Sequence, residues 1–161
     1  MTSASNIVMR LAVQQDLEEI VQLLFDDTLV GVHELPGDSA AGELSESYLR
    51  AWRQIEASDE NEILVATDPQ QVIAVLQLTF IPSLTLQGSQ RAQLEGVHVA
   101  PPYRGHGVGT RLVDWELELA KAQNCRLVQL TMDRRRERAG RFYQRLGFVA
   151  THEGFKMELD P

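Results

Sequence analysis

The sequence predicts one α/β domain of the α+β type, spanning all 161 residues with a core of about residues 7–160. Apolar residues alternate in seven short segments and recur with helical spacing in four longer ones. Turns rich in glycine, proline and polar residues separate these segments. The predicted order is β-α-α-β-β-β-α-β-α-β-β. A chain of this length buries a core without needing metals or disulfides.

The first half of the chain predicts an opening strand, two helices and a hairpin. Acidic residues in the first turn of the first helix favour the positive end of its dipole. Pro36 and Gly37 lie among polar residues and predict a loop between the helices, at about 31–42. Asp68-Pro69 turns one strand back antiparallel to the next. The predicted elements are a strand at 7–13, helices from 17 to about 28 and from 44 or 45 to 57, and strands at 62–67 and 71–80.

The second half predicts alternating strands and helices. Val108, Leu112, Trp115 and Leu119 are four, three and four residues apart, which places an apolar stripe on one helix. Gly147 favours the end of the next helix. The predicted elements are a loop at 81–90, a strand at 94–99, the helix with this stripe, a strand at 126–132, a helix at 136–146, and a final pair of strands at 148–151 and 155–159.

The most informative stretch is residues 94–110. It begins as a strand, breaks at Pro101–Pro102, and then has Gly105, Gly107 and Gly109 within five positions, directly before a helix. A strand, a glycine-rich turn and a helix in this order direct free backbone N–H groups towards an anion. We therefore predict that this turn binds the pyrophosphate of a nucleotide-containing cofactor.

The glycine spacing excludes two common nucleotide motifs. The dinucleotide fingerprint G-x-G-x-x-G fails because neither Gly105 nor Gly107 has a glycine five positions later. The P-loop requires a lysine directly after its last glycine, where this chain has Thr110. The pattern that fits is R-x-x-G-x-G, at Arg104, Gly107 and Gly109.

A second motif follows at residues 139–148, with the pattern A-x-x-F-Y-x-x-x-G-F. Together, the two motifs and the order of the eleven elements resemble the GCN5-related N-acetyltransferases (the GNAT superfamily) over nearly the whole chain. This resemblance implies a central mixed, mostly antiparallel sheet flanked by helices. Arg136 departs from the family pattern, because members often have an asparagine at that position; the contacts of that asparagine are not transferred to this chain.

The resemblance also implies an acyltransferase. Such an enzyme moves an acetyl group directly from the thioester of acetyl-CoA to a primary amine of a small molecule or peptide, in a ternary complex. Acetyl-CoA is the co-substrate, and no metal is implied. The residues implied to bind acetyl-CoA are Val97, His98, Val99, Arg104, Gly105, His106, Gly107, Val108, Gly109, Thr110, Phe142 and Tyr143.

Amine attack on a thioester requires the neutral amine, which costs about 4–5 kcal/mol at pH 7 for a pKa of about 10.4. Glu95 occupies the position of a catalytic carboxylate in several family members, so we expect it to accept the proton directly or through water. The alternative is a structural carboxylate. His98 is a second candidate base, although simple alternation places it on the opposite face from Glu95 unless a bulge at Gly96 re-aims one of them.

Tyr143 matches the family tyrosine that lies near the sulfur. We expect it to donate a hydrogen bond to the leaving thiolate, which strengthens as charge develops. Its alternative role is that of a core aromatic beside Phe142. Backbone N–H groups around Val97 and Val99 are implied to bind the thioester carbonyl and the pantetheine arm.

Charge is distributed unevenly along the chain, whose net charge is −8. Residues 101–145 hold ten of the fifteen Lys and Arg residues and five acids, a local balance of +5, whereas the remainder has a balance of −13. This distribution suits a cofactor with phosphates at one end; the alternative is an unevenly charged solvated surface. Nucleic acid is a poor candidate, because aromatic residues are not interleaved with the basic ones.

The acceptor is less well defined by the sequence. Residues 26–46 contain six acids and no Lys or Arg, which favours a cationic acceptor such as a polyamine, an aminoglycoside or a lysine, although a solvated acidic face is an equal alternative. These acids are Asp26, Asp27, Glu34, Asp38, Glu43 and Glu46. A non-catalytic acetyl-CoA sensor and an interaction module on the same fold are the rival functions.

The expected location is the cytoplasm. No apolar run approaches about 18 residues, and the first residues lack the pattern of a signal peptide. The single cysteine, Cys125, cannot form an internal disulfide and is expected to be a small core residue. A homodimer is possible because dimers are common in the family, but no residue identifies an interface.

Overall fold

The computed structural model describes residues 6–25 and 44–159, apart from the side chain of Leu86. The chain divides into two compact units, Met1–Gln129 and Leu130–Pro161. In chain order the elements are β1 (Val8–Leu11), a 3-10 turn (Gln14–Asp16), α1 (Leu17–Phe25), α2 (Glu46–Glu56), β2 (Asn61–Thr67), β3 (Val72–Ile81), α3 (Thr85–Gly88), β4 (Arg91–Val99), a 3-10 turn (Pro101–Tyr103), α4 (Val108–Ala122), β5 (Leu127–Leu130) and α5 (Glu137–Arg145).

Five strands form one sheet in the order β1-β2-β3-β4-β5. The pairs β1–β2, β2–β3 and β3–β4 are antiparallel. β5 runs parallel to β4: the Arg126 N–H donates to the Gln90 carbonyl at 2.8 Å, and three residues further along both strands the Gln129 side chain donates to Gln93 at 2.7 Å. The sheet is therefore mixed and mostly antiparallel, as the resemblance implies.

The first two helices supply apolar side chains to the core of the first unit. The apolar residues of α1 recur three and four positions apart, so they form one stripe that packs against the sheet. α2 contributes a nearly buried tryptophan to the same core. The buried clusters are Ile20, Leu23, Val65, Val72 and Val75, and Leu17, Val21 and Trp52.

The start of α1 is fixed by a buried carboxylate. Asp16 accepts the Val13 N–H at 2.8 Å and both terminal nitrogens of Arg10 at 2.6 and 2.8 Å. The hydrogen bonds from Arg10 hold the pKa of Asp16 below its ordinary value. This pair joins β1 to the turn that begins the helix.

α4 packs against β2, β3 and β4. The buried residues of α4 include Glu116, whose side chain is completely inaccessible to solvent. Burial, and then the charge of Glu62, raises the pKa of Glu116 to about 8. Neither carboxyl oxygen of Glu116 has a hydrogen-bond partner in the described structure. Burial therefore favours the protonated, neutral form of Glu116.

The second unit contains α5, which ends in a Schellman motif. The N–H of Gly147 donates to the Gln144 carbonyl at 3.0 Å, and the N–H of Phe148 donates to the Tyr143 carbonyl at 3.0 Å. Gly147 has φ +91°, a conformation that side-chain-bearing residues rarely adopt. The predicted helix end at this glycine is confirmed.

The predicted fold class is confirmed, with two changes of detail in the first unit. β4 begins at Arg91 rather than at residue 94, because its first residues pair with the end of β3. The predicted loop at 81–90 contains the short helix α3. The predicted loop at 31–42 lies outside the described residues.

One correction concerns the final pair of strands predicted at 148–151 and 155–159. Residues 148–159 form no strand. The apolar side chains that carry the pattern are exposed, with Phe155 at 91% and Met157 at 85%. A strand requires hydrogen bonds to a neighbouring strand and a buried face, and alternation of apolar residues supplies neither by itself.

Candidate active site

A β-bulge interrupts the pairing of β4 with β3. Gln77 pairs with Glu95 and Val75 pairs with His98, so the single residue Leu76 opposes two residues of β4. One of the two is Gly96, at φ +58°. The alternative to simple alternation, a bulge at Gly96, is therefore present, and glycine suits it because the backbone adopts a positive φ there.

The bulge brings the two candidate bases onto one face. Paired residues of antiparallel strands project to the same side, and residues 75 and 77 of β3 share a face because strand side chains alternate. Glu95 and His98 therefore lie on the same face of the sheet, which corrects the expectation from simple alternation. Val75 packs against Ile20 and Leu23, so this is the face covered by α1.

The two candidates differ in environment. The side chain of Glu95 is exposed and, among the described residues, forms no hydrogen bond or ion pair. His98 is buried, with 5% of its surface accessible. Its Nε2 lies 3.5 Å from a terminal nitrogen of Arg104. An exposed carboxylate is open to a substrate amine, whereas the imidazole is packed.

Beyond β4 the chain forms the glycine-rich turn that the sequence predicts to bind an anion. Gly105 and Gly107 both have φ +81°, and Gly107 is the N-cap of α4. No side chain caps this helix in the described structure. The N–H groups of its first turn have no carbonyl within the helix to bind, and the dipole adds positive potential there. The loop residues are exposed up to Gly107, which leaves these donors open to an anion.

Arg104, the first residue of the R-x-x-G-x-G motif, is turned back towards the strand. Its Nε donates to the Val99 carbonyl at 2.7 Å. The guanidinium therefore braces the end of β4 at Val99. Val97 and Val99 are both half-buried. His106 is exposed, whereas Val108 is 1% exposed and anchors the start of α4 in the core.

Two site candidates, Phe142 and Tyr143, lie on α5 in the second unit. The Tyr143 ring contacts Phe142 and Phe148 edge-to-face, with centroids 5.1 and 5.8 Å apart. Burial raises the pKa of Tyr143, and the charge of Arg136 opposes this. The phenol is therefore a hydrogen-bond donor at neutral pH. Arg136 is the N-cap of α5.

The structure also contains a hydrogen bond that the sequence did not predict. The Tyr103 hydroxyl donates to Asp68, 35 residues away in the β2–β3 turn. The available signals were the tyrosine directly before Arg104 and the aspartate at the turn, but neither indicates a pairing between the two.

Other predicted features are only partly described. Of the six acids at 26–46, Glu46 is described and forms an exposed ion pair with Arg53 at 3.1 Å. The other five lie outside the described residues: Asp26, Asp27, Glu34, Asp38 and Glu43.

Cys125 is half-buried, and burial raises the pKa of its thiol. Within the described ranges, no group of three or more acidic, histidine or cysteine side chains is arranged to hold a metal ion.

Residues 6–25 and 44–159 contain no helix that is long and apolar enough to span a membrane.

Residues 17–148 match the family described as "Acetyltransferase (GNAT) family". The chain belongs to this family. Its members are acyltransferases, and the match includes the bulged strand, the glycine turn and the aromatic residues of α5.

Solved structures share the fold of this chain. A protein of Bacillus halodurans C-125, named a transcriptional regulator, is 43% identical with a TM-score of 0.88, over 96% of this chain and 100% of that one. A predicted acetyltransferase of Clostridium acetobutylicum, solved with acetyl-CoA, is 20% identical with a TM-score of 0.75, over 94% of this chain and 96% of that one. At that identity the likeness concerns the fold.

The curated relatives match over a shorter range. The aminoalkylphosphonate N-acetyltransferase of Salmonella typhimurium is 33% identical over 67 residues, which are 42% of this GNAT chain and 44% of that protein. The alignments with curated relatives span between 25% and 58% of the length of those proteins.

Proposed function

We propose that this GNAT protein transfers an acetyl group from acetyl-CoA to a primary amine of a small molecule or peptide. The observation that carries the proposal is the arrangement of β4. Its bulge places an exposed carboxylate, Glu95, on one face of the sheet, and the chain then forms an anion-binding turn at Gly105–Gly107. The proposed base and the proposed phosphate site thus lie in one continuous segment of the chain.

The turn fits the phosphates of acetyl-CoA for a local reason. The backbone at Gly105 and Gly107 has a positive φ, and among the described residues nothing lies within 4 Å of a Cβ added at either position. Their exposed surface therefore accepts a bulky anion at the N-terminus of α4. The proposed binding residues are those of the motif and its flanks: Val97, His98, Val99, Arg104, Gly105, His106, Gly107, Val108, Gly109, Thr110, Phe142 and Tyr143.

In the proposed reaction the amine nitrogen attacks the thioester carbonyl carbon, a C–N bond forms, and the C–S bond breaks in the same ternary complex. Glu95 accepts the proton that the amine loses, directly or through water. The thiolate of coenzyme A leaves. Backbone N–H groups near Val97 and Val99 stabilise the charge on the carbonyl oxygen.

Tyr143 is proposed to stabilise the leaving sulfur. Complete transfer of its proton to the thiolate is uphill, because a phenol has a pKa of about 10 and a thiol about 8.5. The raised pKa of the half-buried Tyr143 increases this difference. A hydrogen bond from the hydroxyl that strengthens in the transition state is therefore its proposed contribution.

The acceptor is proposed to be a small amine. The acids between residues 26 and 46 favour a cation such as a polyamine, whereas the name of the Salmonella relative favours an amine with a phosphonate group. A panel that contains a polyamine, an aminoglycoside, an aminoalkylphosphonate and a lysine peptide distinguishes these classes. A homodimer is a further proposal, which sedimentation tests.

Thermal unfolding with acetyl-CoA is the first experiment. Binding to the native state raises the melting temperature, by a stabilisation of about 2.7 kcal/mol at one hundred times Kd. Gly107→Glu adds a side chain and a negative charge to the turn and should abolish this rise. Gly88→Glu is the matched control, since Gly88 also has a positive φ, +75°, and also has no described atom within 4 Å of an added Cβ.

Equal melting temperatures with and without millimolar acetyl-CoA would contradict the proposal. A rise that Gly107→Glu removes and Gly88→Glu preserves supports it, and release of coenzyme A thiol is then measured across the amine panel.

A second candidate is a non-catalytic acetyl-CoA-binding regulator. The name of the Bacillus halodurans relative, at 43% identity, is the observation that favours it. The two candidates differ in one measurement, because a regulator binds acetyl-CoA without releasing thiol in the presence of any amine of the panel.

A further inference from the structure

We infer that Asp68 and Tyr103 are positioning residues that hold the phosphate-binding turn in the shape that binds acetyl-CoA. The inference rests on the proposed function of that turn. Neither side chain belongs to the R-x-x-G-x-G motif, and Asp68 lies in a different part of the sheet, at the turn between β2 and β3.

Asp68 uses its two carboxylate oxygens for different partners. One oxygen accepts the N–H groups of Gln70 and Gln71 at 2.8 and 2.9 Å and so closes the β2–β3 turn. The Asp68 N–H donates to the Gln71 carbonyl at 3.1 Å. The other oxygen accepts the Tyr103 hydroxyl. The β2–β3 turn is therefore held by its own hydrogen bonds, and the Tyr103 side chain is bonded to it.

Tyr103 stands at the start of the phosphate-binding turn. Its N–H donates to the Ala100 carbonyl at 2.9 Å, and the Ala100 N–H donates to the Ile73 carbonyl of β3 at 2.8 Å. The Tyr103 backbone is thus connected to β3 through Ala100, and the Tyr103 side chain is connected to the β2–β3 turn through Asp68. Arg104 follows directly.

The turn has a second anchor at its other end, where Val108 is 1% exposed. Gly105 and Gly107 lie between the anchors, and glycine is the residue with the greatest conformational freedom. The N–H groups of this turn must converge on one anion. If the hydrogen bond of Tyr103 is lost, Gly105 and Gly107 sample more conformations. Binding of acetyl-CoA then costs additional conformational entropy, because it must order them.

The hydrogen bond between Tyr103 and Asp68 is expected to persist around neutral pH. Tyr103 lowers the pKa of Asp68 below its ordinary value, and Asp68 raises the pKa of Tyr103. The carboxylate and the phenol therefore keep their charge states between about pH 5 and 9. Loss of this bond should weaken acetyl-CoA binding equally throughout that range, unlike loss of a catalytic base.

The test compares Tyr103→Phe, Asp68→Asn and the double variant with the natural protein by calorimetric titration of acetyl-CoA. Because water screens this partly exposed hydrogen bond, its loss should weaken binding only about 3–10-fold. KM for acetyl-CoA should rise by the same factor, with kcat and the amine KM within about twofold. Because the two side chains form one contact, the double variant should bind about as weakly as the weaker single variant.

Thr79→Val is the control, since it removes a hydroxyl that donates to Asn61 at 2.8 Å elsewhere on the sheet. It should leave acetyl-CoA binding unchanged. Hydrogen exchange of residues 104–110 without ligand provides a second measurement, and exchange should be faster in Tyr103→Phe but not in Thr79→Val.

Unchanged affinity and unchanged exchange in both single variants would overturn the inference, provided that the natural protein binds acetyl-CoA. Failure of the natural protein to bind acetyl-CoA would instead overturn the proposed function and this inference together. A loss of affinity that accompanies global unfolding would also contradict a local positioning role, and thermal melting without ligand measures it.

Discussion

β4 and the segment 148–159 have the same kind of sequence but different structures. Both alternate apolar and polar residues, as in Ala92 and Leu94 of β4 and in Phe155 and Met157 of the later segment. In β4 these side chains are buried, at 0% and 2% exposure, whereas in the later segment they are 91% and 85% exposed. β4 has strands on both sides, and residues 148–159 form no strand. Alternation becomes a strand where neighbouring backbone and a buried face are available.

β4 and the second unit also differ in how they position their candidate functional residues. The irregularity of β4 is a bulge whose position depends on β3, because Leu76 opposes two residues. This places Glu95 and His98 on one face. In the second unit the functional candidate, Tyr143, depends instead on a local helix end, in which Phe148 folds back onto it. One region is organised by its neighbours in the sheet and the other by its own helix cap.

The largest expected effect is on the chemistry that β4 supports. Glu95→Gln keeps the shape of the side chain but removes its ability to accept a proton, so kcat should fall about 10²–10⁴-fold. KM for acetyl-CoA should stay unchanged. The variant's rate should rise about tenfold per pH unit below the amine pKa, as more amine becomes neutral.

Steady-state kinetics between pH 6 and 10 measures both effects. Glu118→Gln, an exposed substitution on α4, is the control. If Glu95→Gln remains fully active while His98→Gln is impaired, His98 is the base.

The next prediction tests the structural contrast directly. Leu94→Ala removes a buried side chain and should lower the free energy of unfolding by about 2–5 kcal/mol. Phe155→Ala removes an exposed side chain and should change it by less than about 0.5 kcal/mol. Urea denaturation measures both. Equal losses of unfolding free energy would mean that residues 148–159 are packed in solution, which would contradict the difference in burial between the two segments.

A smaller, pH-dependent effect is expected from α4, which packs against β4. Glu116 has a pKa of about 8 in the folded protein and an ordinary pKa near 4.5. The unfolded chain therefore binds fewer protons between these values, so the contribution of Glu116 to stability is fully present below about pH 4.5 and is lost as pH rises towards 8. From pH 6 to 8 the loss should be about 2 kcal/mol, at about 1.4 kcal/mol per pH unit.

Glu116→Gln remains neutral at every pH. Its stability should equal that of the natural protein near pH 5 and exceed it at pH 8. Parallel stability curves for the two proteins would show that Glu116 is ionised in the folded state.

The smallest effect concerns the local organisation of the second unit. Gly147→Ala forces a side chain into a positive φ and should destabilise the protein by about 1–2 kcal/mol. Gly140→Ala is the control, because Gly140 lies inside α5 and an added Cβ would lie 3.4 Å from the flexible end of Met132. It should be neutral or stabilising by up to about 1 kcal/mol. Melting temperatures that fall equally would argue against a special helix end at Gly147.

The sequence and its family resemblance predicted the fold class and the helix end at Gly147, contained both motifs, and identified Gly96 as suited to a bulge. These features depend on local properties: the spacing of apolar residues, the position of glycines, and backbone conformations that only glycine adopts easily. Such signals lie within a few residues of the structure they specify, so they are visible without a fold.

Tertiary structure decided the remainder. The shared face of Glu95 and His98 depends on the register with β3, the neutral state of Glu116 depends on burial, and the Asp68–Tyr103 contact joins residues 35 positions apart. Residues 148–159 have a strand pattern that no neighbouring strand completes. In each case the deciding free energy comes from groups distant in sequence, through hydrogen bonding, desolvation and charge, and no local pattern encodes which groups those are.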